Sequence, residues 1–407
     1  MEQASLTRSP RFRDISESLA RWVNGGRSTQ LDEDCARWSP GDAPLVERAL
    51  SVQSVAPFLD SVLEGDTDQR IGLARAIRSS IRERRRQNDL RNRAMRRQLA
   101  SLLEDFHHEN IPAIPLKGAW FAFHPLPGAP FRVMADIDFL ITAPGDLERA
   151  ADLLEARGFV SRRTTPSQTE WAPKDARVRD SLRGESPDNP IRIEIHSSLG
   201  MNLLGRPIDP SSRIASTARP GELLGIPATL PSEAEGFAHL FLHHSADFLN
   251  LGLRLGQALD LASLWNRIET ASGRAAAVDA VIEQAGPLAG LFPALCAELL
   301  PSRIPADLVS AFPRSPGKPF EHFRSRPLLR LTRPLELQGW DALRLASGAG
   351  DRARILGSIL FPRRDQLERA LGESCESPAS YARALGLCYR KKAVSLWRRN
   401  FPPKEFP

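Results

Sequence analysis

The stretch Met134-Ala135-Asp136-Ile137-Asp138-Phe139-Leu140-Ile141 alternates acidic and apolar residues and then runs apolar. That is the pattern of a strand with two carboxylates on one face, so Asp136 and Asp138 point the same way. Two like charges side by side call for a compensating cation, and hard oxygen ligands suit Mg²⁺. Such an ion in turn suggests phosphate chemistry. Downstream, Ile191-Arg192-Ile193-Glu194-Ile195-His196 alternates throughout and sets Arg192, Glu194 and His196 on one face. Upstream, Leu116-Lys117-Gly118-Ala119 closes a short apolar run before a segment, Trp120 to His124, able to open a helix. A glycine there permits close backbone approach to a ligand, and free N–H groups at a helix start favour a phosphate.

Asp136, Asp138 and Glu194 are therefore the candidate catalytic and metal-holding residues, for two Mg²⁺ ions. One ion would hold a phosphate-bearing ligand and the other would acidify an attacking hydroxyl. Lys117 and Arg132 stand near the turn and could neutralise triphosphate oxygens, with the backbone of Gly118 and Ala119 as the cradle. Bland readings stay open beside these. Lys117 is equally readable as a surface charge, Arg132 as the ion-pair partner of Asp136 or Asp138, and His196 as a satisfied core residue.

Elements must hold these groups in place. Asp146 to Gly158 reads as a short helix joining two strands of one sheet, with Leu147, Ala151, Leu153 and Leu154 as its buried stripe. Residues 161–190, polar and broken by prolines, read as a long irregular loop suited to acceptor recognition. Residues 70–109 read as mostly helical and densely arginine-bearing, their default role a solvated face and the alternative a phosphate or RNA track, though no aromatic residues interleave for base stacking. Residues 1–69 read as a helical lead-in, with Pro57 kinking or splitting its second helix. A Pro- and Gly-rich connector spans 206–232. Ser232 with Glu235 then forms a capping-box pattern before a helix that sets His239, His243 and Asp247 on one face. Metal ligation by that trio and a polar-core or nucleotide-facing role for His243 both remain open. Residues 301–340 read as irregular, and helices resume over 341–360 and 378–400.

The order of a Lys-Gly turn, a D-x-D strand and a later acidic strand resembles the nucleotidyltransferase superfamily that includes DNA polymerase beta. More closely, Leu116-Lys117-Gly118, Arg132, the D-x-D strand, Ala150 to Phe159 and Ile193-Glu194-Ile195-His196 resemble a bacterial family of uncharacterised nucleotidyltransferases, over roughly residues 90–270. Members of that family are met beside natural-product genes, including those for lasso peptides. The turn departs from the superfamily's Gly-Ser, and the spacer from Gly118 to Asp136 is longer and richer in proline. The resemblance implies an α+β fold, with a small mixed β-sheet core flanked by N-terminal helices and a C-terminal helical domain. The divisions expected are 1–69, 70–205 and 206–407. It also implies that a His on the helix after Ser232 and an Asp on the next belong to the site, here His243 and Asp260. The activity implied is transfer of a nucleoside monophosphate from an NTP, ATP first among them, to a small molecule, peptide or tRNA. A non-catalytic nucleotide-binding scaffold and an RNA-modifying toxin are the alternatives.

Bulk properties fit a globular enzyme. The chain has 407 residues, 42% of them hydrophobic and 26% charged, enough for a substantial core and more than one unit. A net charge of +6 and a pI near 9.5 lean weakly toward anionic ligands. The four cysteines, Cys35, Cys296, Cys375 and Cys388, are scattered without zinc spacing and read as reduced thiols. With no apolar run long enough to span a bilayer and no signal-like segment at the start, the expected setting is cytoplasmic, away from membranes.

Overall fold

The computed structural model describes residues 10–25, 28–63, 72–123, 132–177, 186–203, 206–313, 318–324, 349–361 and 377–400, with Leu343, Arg364 and Leu367 as single positions. His124 and Cys375 lie outside them. The fold is α+β. Helices α1 (Pro10–Val23), α2 (Ser28–Ala36), α3 (Ala43–Gln53) and α4 (Ala56–Val62) lead in. The break between α3 and α4 falls at Ser54, in the left-handed conformation, and Pro57 sits in the first turn of α4, where its missing N–H is harmless.

Helix α5 (Gly72–His108) runs for 37 residues, roughly 55 Å. Its buried face joins two apolar clusters. Ala74, Ile77 and Ile81 pack with Phe12, Ile15 and Leu59 of the lead-in, whereas Met95, Leu99, Leu103 and Phe106 pack beneath the sheet. Phe106 meets Phe139 edge-on at 5.1 Å. The solvated-arginine reading of this helix holds for exposed Arg75, Arg82, Arg86, Arg93, Arg96 and Arg97, but not for Arg78, Arg84 and Arg91, which are buried. Arg78 pairs with Asp60 and donates to the Leu63 carbonyl, and Arg84 donates to Glu47 at 2.7 Å. Their guanidinium groups end on partners that local periodicity cannot reveal.

The sheet follows: β1 (Ile114–Leu116), the short helix α6 (Lys117–Phe121), β2 (Asp136–Leu140), α7 (Pro144–Ala156), β3 (Phe159–Thr165), β4 (Gln168–Pro173) and β5 (Arg192–His196). Strand order is β1-β2-β5-β4-β3, with β2 and β5 parallel and the other neighbours antiparallel. Ile137, Phe139, Ile193 and Ile195 face the lower cluster. Burying each is worth about 1.5–3 kcal/mol. The irregular loop expected over 161–190 is corrected here, since residues up to 173 form the β3–β4 hairpin. Its outer strand is largely exposed, so its polar residues hide the alternation that a half-buried strand displays. Residues 178–185 lie outside the described residues.

The expected connector over 206–232 is corrected too. Just upstream β6 (Met201–Leu203) pairs with its first strand, β7 (Arg206–Ile208), and helix α8 (Ser211–Thr217) and the hairpin of β8 (Arg219–Leu223) with β9 (Ile226–Leu230) follow. These strands are short and carry prolines at edge positions, which reads locally as loop. Leu223 closes on the sheet cluster. Helix α9 (Glu233–Leu251) then starts at Ser232, whose hydroxyl accepts the Glu235 N–H at 3.3 Å. The Glu235 carboxylate turns to Arg213 rather than back to the cap.

Helices α10 (Leu255–Arg267), α11 (Ala271–Ala285), α12 (Leu291–Leu299), α13 (Ala306–Ala311), α14 (Lys318–Arg324), α15 (Ala349–Leu360) and α16 (Pro378–Asn400) complete the described chain. The region expected to be irregular, 301–340, thus contains α13 and α14. Helices α9 to α13 share one apolar cluster with α1 to α4. Among the described residues no helix is long and apolar enough to cross a membrane.

Candidate active site

The parallel register of β2 and β5 pairs Asp136 with Arg192, Asp138 with Glu194 and Leu140 with His196. Parallel neighbours in register present the same face, so the two acidic strands converge on one spot. Asp138 is 2% exposed, and Glu194 is its cross-strand neighbour. Ligand atoms of Asp138, Glu194 and His196 all lie within 4.8 Å of one another, a group able to hold a metal ion. His196 Nε2 is 3.0 Å from Asp138 Oδ1 and 3.6 Å from Glu194 Oε2. Asp136 stands outside that group, its carboxylate 3.7 Å from Arg192, which also donates to Glu170 at 3.2 Å.

Lys117 reaches the cluster from the end of β1. Leu116 is the cross-strand partner of Asp138, and the next residue turns into the left-handed region at φ 45°. A non-glycine residue held there is strained, a condition concentrated at functional positions. The Lys117 ammonium then donates to Asp138 Oδ1 at 2.6 Å. Gly118 follows for a packing reason: a Cβ there would sit 2.5 Å from Met134 Sδ and 3.1 Å from Arg132 Nε. Its neighbour Ala119 is buried in the sheet cluster.

These contacts push the carboxyls apart in acidity. Burial would raise Asp138, but Lys117 and His196 outweigh it and hold the group far below the usual carboxylate range. Burial and the Asp138 charge raise Asp136. Burial, Asp138 and Asp136 lift Glu194 to about 7. Burial opposes the charged form of Lys117, yet Asp138 and Asp136 raise it above an ordinary lysine.

A cleft of about 480 Å³ opens beside this face, lined by Lys117, Gly118, Arg132, Asp136 and Asp138 and by His243, His244, Asp247, Arg254 and Asp260 from α9 and the start of α10. Arg132 pairs with Asp260, not with Asp136 or Asp138, so the near-neighbour reading of its partner is corrected. The partner comes from α10, 128 positions on, beyond any local pattern. His243 lines the cleft, whereas its neighbour His244 is the ring beside Asp260, with Nε2 3.5 Å from Oδ2. Burial, with Lys117 nearby, keeps His243 well below the usual imidazole value; burial and His243 do the same to His239. Asp247 accepts from Gln257 Nε2 at 2.8 Å, so the trio on α9 does not close on itself.

The residue that sequence reasoning passed over is Arg91. It is 2% exposed and donates to the carbonyls of Met134 (2.8 Å) and Ala135 (2.7 Å), just before the D-x-D, and of Ser186 (3.2 Å) and Asn189 (2.9 Å), just before β5. One guanidinium thus ties the approaches of both acidic strands. The only signal for it in the sequence is its place on the buried stripe of α5, four residues before Met95.

A small mixed sheet that brings acidic residues of adjacent parallel strands together beside a Lys-Gly turn and a nucleotide-sized cleft defines the class, an α+β transferase core of the nucleotidyl-transfer type. The chain belongs to the family described as uncharacterised nucleotidyltransferase, whose match covers residues 40–300. No curated protein and no solved structure matches it.

Proposed function

We propose that the protein moves a nucleoside monophosphate from an NTP, ATP first among the candidates, to a hydroxyl of a small molecule, peptide or tRNA. The observation that carries this reading is the in-register pairing of Asp138 with Glu194 on parallel strands, with His196 in the same group. The donor set fits a divalent cation. Two carboxylates favour Mg²⁺, and the imidazole extends the fit to Mn²⁺. Held by Asp138, Glu194 and His196, with Asp136 beside them, such a cation would neutralise phosphoryl oxygens and acidify an acceptor hydroxyl.

The chain's own groups divide the remaining work. Lys117 balances Asp138, and Arg192 balances Asp136. Glu194 has His196 as its ring partner at 3.6 Å and is the carboxylate that takes the acceptor's proton. The acceptor oxygen bonds to the α-phosphorus as the bond from that phosphorus to the leaving oxygen breaks, and pyrophosphate departs.

One observation favours a second reading, nucleotide binding without turnover: the Lys117 ammonium already rests on Asp138 Oδ1. The purified full chain, incubated with each α-labelled NTP, Mg²⁺ or Mn²⁺ and fractionated lysate, separates the two. Pyrophosphate release that falls by more than about a hundredfold in Asp138→Asn supports transfer. Saturable NTP binding with no pyrophosphate in any fraction supports the second reading and ends the first.

A further inference from the structure

Among the described residues, three cationic side chains line the cleft: Lys117, Arg132 and Arg254. Two are committed. The Lys117 ammonium is on Asp138, and the Arg132 guanidinium is on Asp260. Arg254 makes no side-chain hydrogen bond or ion pair to any described residue, and its Nε is buried without a partner. Asp247 and Asp136 influence it only at longer range, and Asp247 is already engaged by Gln257. Arg254 is half-buried and its Nε is fully buried, so a guanidinium that faces the cleft without a counter-ion leaves a place for an anion to complete it.

The backbone that carries Arg254 is fixed. Arg254 is the N-cap of α10, the Leu255 N–H is taken by Gln53 Oε1 at 3.2 Å, and a Cβ on Gly256 would lie 3.0 Å from the Ser54 carbonyl oxygen. The first turn of α10 therefore rests on the junction of α3 and α4, and the positive end of that helix adds to the charge of Arg254.

We propose that Arg254 holds the phosphate tail of the bound nucleotide, from the first turn of α10 in the cleft it shares with Asp136 and Asp138, an assignment that rests on the nucleotidyltransferase reading above. Guanidinium matches phosphate oxygens in a two-point fork. The nucleotide then spans the cleft, with its α-phosphate at the carboxylates and its tail at α10. Lys117 and Arg132 are left to hold the protein's own acids.

The test is isothermal titration of the full-length protein with inorganic tripolyphosphate, the four ribonucleoside triphosphates and their monophosphates, each with Mg²⁺. Arg254→Gln is expected to weaken tripolyphosphate and triphosphate binding roughly tenfold to a hundredfold and to leave monophosphate binding unchanged. Arg254→Lys, which keeps the charge and loses the fork, is expected to weaken tripolyphosphate binding at least about threefold, and it decides the matter if the Gln variant does not fold. Unchanged tripolyphosphate affinity in the folded variant overturns the assignment. So does equal weakening of monophosphates, or a wild-type protein that binds none of these ligands. Tripolyphosphate binding that depends on Arg254 in a protein releasing no pyrophosphate keeps the phosphate site and removes the transfer reading. Turnover with unchanged KM in Arg254→Gln does the reverse.

Discussion

At the residue scale, the chemistry of this site is a matter of which acid carries which partner. Asp138 has an ammonium and an imidazole, Asp136 has a distant guanidinium, and Glu194 has mainly like charges around it. The consequence is measurable in the metal-free protein. An unfolded glutamic acid titrates near 4.5, whereas burial and the two aspartates lift folded Glu194 to about 7. Between those values the native state binds the extra proton, so this group's contribution to stability falls as pH rises. Chelator-treated protein is expected to lose thermal stability from about pH 5 to about pH 7.5, and Glu194→Gln to flatten that slope. A slope identical in wild type and variant, followed by thermal melting across buffers, would remove Glu194 as its source.

At the element scale, the strands are placed by side chains that arrive from a helix. Arg91 closes on carbonyls of two segments that lead into β2 and β5. Arg91→Ala is expected to destabilise the fold by about 1–3 kcal/mol for each buried carbonyl left without its donor. It should also weaken Mn²⁺ binding about 10- to 100-fold, as loss of support behind metal ligands does. Arg91→Lys should recover part of the stability but less of the metal affinity. Chemical denaturation and Mn²⁺ titration by electron paramagnetic resonance read the two separately, and a purely structural arginine would leave the Mn²⁺ affinity of folded protein untouched.

The acidic strands were legible in the sequence because Asp136, Asp138 and Glu194 alternate with fully buried apolar residues, and the period itself marks a strand face. The Arg91 clasp, the pairing of Arg132 with Asp260 and the isolation of Arg254 were not. All three depend on where a long side chain ends; the first two end on partners some forty to well over a hundred positions away, which no local pattern reveals. The β3–β4 and β8–β9 hairpins were missed for a different reason: their exposed faces and prolines erase the alternation.

At the scale of the whole molecule, the described lead-in and the helices after β9 share one apolar cluster, and Arg303 donates to the Val23 carbonyl at 2.7 Å while lying over Phe58 at 5.3 Å. Ser54 and Phe58 of that lead-in also line the cleft. Although 1–69, 70–205 and 206–407 are proposed as units, a chain beginning at residue 70 is expected to expose the partners of Phe12, Ile15, Leu19 and Leu59. It should aggregate or melt well below the full chain and bind NTP more weakly, because the seat of α10 is gone. Size-exclusion chromatography and nucleotide titration of the truncated protein check this, and a monomer with undiminished affinity would show the lead-in to be dispensable.

The parallel pairing of β2 with β5 also bears on how the protein is made. Glu194 and His196 are synthesised more than fifty residues after Asp138, with α7 and a hairpin between them. A nascent chain on the ribosome therefore has no chelating pocket until the second acidic strand has emerged and slotted in beside the first.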